Sequence, residues 1–158
     1  SKILGVWEPL ITRDEAGLPE PCLAESWEMQ DDGKVWIFRL RRNVYFQNGT
    51  QFNADSVIAN FDRMKKGLKR SNFYSLSLAL YYPSLISYEK LDEYTVRLVF
   101  KEPNINQLYK MTDFGSPMFA PECFDANGLR IRTTRLFQHM TIPQCIVGND
   151  IPTCGKML

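Results

Sequence analysis

A strand, a tight turn and a capped helix follow one another without interruption from Val35 to Met64, and that run limits the folds open to the chain. Trp36, Phe38 and Leu40 fall on one side of a period-two pattern, with Ile37 and Arg39 on the other, as in a strand with one buried face. Asn48-Gly49 is a turn pair, because both residues tolerate positive φ. Asn53 stands where a helix N-cap belongs. Acidic Asp55 follows in the first turn, Val57, Phe61 and Met64 recur at helical spacing, and Gly67 is a natural stop.

Similar signals lie on both sides. Trp7 to Ile11 is a short apolar segment, followed by a polar loop carrying Gly17, Pro19 and Pro21. Leu23 to Gln30 reads as a strand that Asp31-Asp32-Gly33 turns back into the strand at Val35, forming a hairpin. A second hairpin is expected from Leu85 to Lys90 and Tyr94 to Phe100 around Leu91-Asp92-Glu93, with Tyr94, Val96, Leu98 and Phe100 on one face. Phe73 to Leu80 fits another short helix. Asn104 is placed to cap a third running to about Met111, and Pro103 closes the strand before it. No repeat or low-complexity tract interrupts the pattern, so the fold class is α+β, a small mixed sheet with hairpins and short helices.

The 158 residues, 44% of them hydrophobic and 13% aromatic, suffice for one domain with a sizeable core. Trp27, Trp36, Phe38, Tyr45 and Phe46 are read as core aromatics, each contributing about 2 kcal/mol on burial. No stretch approaches the roughly 18 apolar residues of a transmembrane helix. Ser1 to Trp7 lacks an initiator methionine and the basic-then-apolar layout of a signal peptide, so a leader is expected to be absent or already removed. A net charge of +1 argues against a nucleic-acid or membrane partner chosen by bulk electrostatics. Arg63, Lys65, Lys66, Lys69 and Arg70 cluster around the helix end, where cations complement the dipole, and are read as a solvated surface.

Chemistry-bearing patterns are sparse. Cys22, Cys123, Cys145 and Cys154 form no CxxC and no zinc-finger spacing with the single His139, so no metal site, cofactor site or cysteine nucleophile is expected. A buried thiol and a long-range disulfide both remain open for them. There is no Ser-His-Asp set, flanked carboxylate pair or phosphate-binding glycine loop, so no enzyme activity is expected. Asn48-Gly49-Thr50 is formally a glycosylation sequon, read here as a turn.

Between Gly5 and Gly128 a series of short matches accumulates in order: Glu8-Pro9-Leu10, Leu23-Ala24-Glu25-Ser26-Trp27, Asp32-Gly33, Phe38-Arg39-Leu40-Arg41 and Val44-Tyr45-Phe46. Gly49-Thr50-Gln51-Phe52-Asn53-Ala54, Leu91-Asp92-Glu93-Tyr94-Thr95-Val96, Lys101-Glu102-Pro103 and Ala120-Pro121 continue it. Together they resemble the family-5 extracellular solute-binding proteins of ABC importers, which take up peptides, nickel and related solutes. The resemblance implies a two-lobed, periplasmic-binding-protein-like fold closing around a solute and presenting it to a membrane permease. Residues 1–128 correspond to the small subdomain of the first lobe, and residues 129–158 to an unassigned tail. The Gly-Thr-Gly-Pro-rich segment expected soon after residue 128 is replaced by Arg130-Ile131-Arg132-Thr133-Thr134-Arg135. It further implies a periplasmic or extracellular location, and admits a lipid anchor in the full-length protein.

Nickel-binding members carry an arginine and, three residues on, a tryptophan facing the ligand after the first helix; the matching positions here are Arg70 and Phe73. Arg70 suits a bidentate carboxylate contact and Phe73 a stacking one. A further ligand-facing arginine of those members falls near Phe114, where this chain has none. Three function classes follow: an importer's solute-binding component, for peptides first and nickel or a nickel chelate second; a stand-alone interaction module; and, last, an enzyme. The isolated chain is expected to bind neither peptides nor nickel, and residues 130–158 to add no strand to the main sheet.

Overall fold

A computed structural model describes residues 8–46, 49–66, 78, 82–112 and 118–123 of the chain. Strands β3 (Ala24–Gln30), β4 (Val35–Leu40), β5 (Leu85–Asp92) and β6 (Thr95–Phe100) form a sheet in the order β3-β4-β6-β5, every neighbouring pair antiparallel. A separate ribbon pairs β1 (Ile11–Arg13) with β2 (Pro19–Pro21). Helix α1 (Ala54–Lys66) and the short α2 (Gln107–Met111) complete the α+β unit, with 3-10 turns at Asp31–Gly33 and Pro121–Cys123.

The period-two pattern of the central strands becomes one buried face. Trp36 lies opposite Leu98 and Phe38 opposite Val96, and all four are buried. On the other face, half-buried Val35, Ile37 and Val99 sit among the ion pairs Arg39–Glu28 and Arg97–Glu89. Such exposed pairs add little stability, so burial of the inner face accounts for most of the sheet's stabilisation.

Helix α1 begins as its sequence indicates. The Asn53 side-chain oxygen accepts the Ser56 N–H at 3.1 Å, capping the helix. Val57, Phe61 and Met64 are buried. Phe61 packs between the rings of Tyr82, edge-on at 4.9 Å, and Tyr88, stacked at 5.1 Å. Across this contact the Tyr88 hydroxyl donates to Asp62 at 2.6 Å, and Lys90 of β5 meets Asp55 at 2.6 Å.

Two of the three described positive-φ glycines shape turns beside the main sheet and α1. Gly33 has φ +91, next to Asp31 and Asp32 at +49 and +54. A Cβ on Gly33 would also stand 3.2 Å from the Ile105 side chain and 3.4 Å from the Asn104 nitrogen, so the turn packs directly on the segment that enters α2. Gly49 has φ +84 and donates its N–H to the Phe46 carbonyl at 2.9 Å, as a tight turn there demands. Its partner Asn48 lies outside the described residues.

The structure corrects five readings. Pro19 and Pro21 belong to a strand rather than a loop, because in a two-stranded ribbon a proline's missing N–H can face away from the partner. The second hairpin turns at Glu93-Tyr94, one position later than Leu91-Asp92-Glu93. There the Asp92 carboxylate accepts the Tyr94 N–H at 2.8 Å and closes the turn. Helix α2 starts at Gln107 without a side-chain cap; Asn104 instead donates its amide to the Gln107 side chain at 2.7 Å. Tyr45 is 42% exposed, because it sits on an isolated bridge to Gln51, whereas Trp27, half-buried on an edge strand, still packs against the core as expected. Arg63 is buried rather than solvated, for the reason given with the site below.

Both outer strands of the main sheet carry bulges, β3 between Ala24 and Ser26 and β5 between Leu85 and Ser87 and between Lys90 and Asp92. Bulged edges resist pairing with other chains. Ile86 and Leu91, the unpaired residues of β5, are exposed as a consequence. Apart from Leu78, the helix expected over Phe73 to Leu80 lies outside the described residues, as do Gly67 and residues 129–158.

Candidate functional site

The buried face of α1 contains three polar side chains that an amphipathic helix alone does not call for. Asn60 follows Ser56 by one turn and Arg63 follows Asn60 by three residues; all three are buried. The Asn60 amide nitrogen donates to the Ser56 carbonyl at 2.8 Å and to the Phe119 carbonyl at 2.8 Å, while its oxygen accepts the Phe119 N–H at 3.1 Å. One side chain thus meets both backbone groups of Phe119 as a neighbouring strand would, satisfying groups that are costly to bury unpaired. The Arg63 guanidinium lies 5.2 Å over the Phe119 ring, which explains its burial: the cation covers an aromatic face instead of pointing into water.

The same segment is held from its other side. The Met118 N–H donates to the Glu8 carbonyl at 3.1 Å. The carboxyl of Glu8 is pushed above the usual glutamate range by burial, partly offset by the Arg41 charge. Further along, the Thr50 hydroxyl, just ahead of α1, donates to Glu122 at 3.0 Å. Phe119 therefore lies opposite the middle of α1 and Glu122 near its start, so the segment runs antiparallel to the helix.

Arg70, Phe73 and Phe114, the positions to which the resemblance assigns ligand contact, lie outside the described residues. Asn60 went unremarked in the sequence, although a signal existed: an asparagine is a poor helix former, and here it stands between Val57 and Phe61 on the apolar stripe. Among the described residues no group of three or more His, Cys, Asp or Glu is placed to hold a metal ion. Cys22 is buried and disulfide-bonded, deciding for that residue between thiol and disulfide. No described helix is long and apolar enough to cross a membrane. The arrangement is one that holds backbone in register.

Residues 19–137 match the family model for the bacterial extracellular solute-binding proteins, family 5 Middle. The glutathione-binding protein GsiB of Escherichia coli (strain K12) is 31% identical over 109 residues, which are 69% of this chain and 20% of that protein. The chain thus spans about a fifth of the length of the curated relatives it matches. Among solved structures, an ABC transporter substrate-binding protein from Sinorhizobium meliloti superposes with a TM-score of 0.66 at 28% identity, covering 78% of this chain and 25% of that one. NikA from Brucella suis, in complex with Fe(III)-EDTA, gives 0.64 at 30% identity, covering 79% and 24%.

Proposed function

The chain belongs to the bacterial extracellular solute-binding proteins of family 5, and from that premise we propose that it supplies the small subdomain of the first lobe in the solute-binding component of an ABC importer, with peptides as the solute. The observation that carries the choice of solute is the 31% identity to a glutathione-binding protein, whose ligand is itself a small peptide. Arg70 and Phe73 form part of the ligand wall, Arg70 for a carboxylate and Phe73 for stacking. Residues 1–128 make up the lobe portion and residues 129–158 a tail. The partner is a permease in the membrane, the site of work is the periplasm or cell exterior, and the role is not catalytic. A disulfide at Cys22 supports an oxidising compartment. A second reading, a nickel chelate as solute, is favoured by the 30% identity to NikA.

The test is calorimetry on the chain expressed with any sequence that flanks it in its gene, using a tetrapeptide mixture, glutathione and nickel-histidine as probes. Saturable one-to-one binding of a peptide is the expected result. Saturation by nickel-histidine alone would replace the first reading with the second. No saturation by any probe would leave the interaction module as the better account. The 158 residues by themselves are expected to bind none of them, because one open subdomain leaves most of an enclosed solute's surface wet.

A further inference from the structure

We draw no further inference here: the strongest candidate, the aromatic surface patch at the tip of the β5–β6 hairpin, where the Arg42 guanidinium lies 5.0 Å over the Tyr94 ring and exposed Tyr45 bridges to the Gln51 that meets the Tyr94 hydroxyl, carries none because nothing among the described residues shows what covers it.

Discussion

Replacing Phe61 measures how firmly α1 is fastened to the sheet. The side chain is fully buried and meets two rings, Tyr82 at 4.9 Å edge-on and Tyr88 at 5.1 Å stacked. Removing a buried phenylalanine to alanine costs about 3–5 kcal/mol through lost transfer energy and the cavity left behind. With two rings braced against it the site has little room to collapse, so Phe61→Ala is expected no lower than the middle of that range, about 4 kcal/mol. Phe61→Leu keeps most of the apolar volume but loses two aromatic pairs, each contributing about 0.5–1.5 kcal/mol, so its cost is about 1–3 kcal/mol. Urea denaturation of both variants, followed by circular dichroism and by tyrosine and tryptophan fluorescence, gives the two free energies and their difference. An alanine variant losing less than about 2 kcal/mol would refute the packing of α1 described here. A leucine variant as costly as the alanine one would show that ring shape, and not volume, dominates the contact.

Asn53→Ala should lower stability by about 1 kcal/mol by freeing the Ser56 N–H, with the loss appearing in thermal unfolding. Gly33→Ala should cost about 1–2 kcal/mol by the same measurement, since it forces a side chain into a left-handed backbone against Ile105. The carboxyl of Glu8 is raised by burial, so its stabilising contribution is complete below the usual value near 4.5 and is lost as pH rises through the native one. Glu8→Gln should therefore gain on wild type as pH is taken from about 4 to about 8 in urea titrations. Asp92 has the opposite sign: the bond from the Tyr94 N–H lowers its native value, and its contribution, present above the usual 3.8, is lost as pH falls through that lowered value. Asp92→Asn should flatten the acid limb of the stability curve. Ending the chain after Arg130 should leave the thermal midpoint nearly unchanged; loss of cooperative unfolding would place the tail in the core.

The elements governed by short-range physics were legible from the residues alone. Strands β4 and β6 follow from period-two burial, with Trp36, Phe38, Val96 and Leu98 on the inner face, and α1 follows from the Asn53 cap and the spacing of Val57, Phe61 and Met64. The family was legible too, because its marks are short motifs in a fixed order. What the tertiary structure alone decided concerns groups whose state depends on distant neighbours. The prolines at 19 and 21 form a strand because Ile11 to Arg13 lies beside them, and Tyr45 is exposed because nothing described packs over it. Arg63 is buried because Phe119, 56 positions away, offers its ring. The candidate ligand residues Arg70 and Phe73 were reached through resemblance and not through periodicity, since a side chain that faces a solute leaves no regular pattern. The Asn60 bonds to Phe119 are the clearest case. An asparagine on an apolar stripe announces that a polar partner exists, but which backbone it holds is settled only when the chain returns.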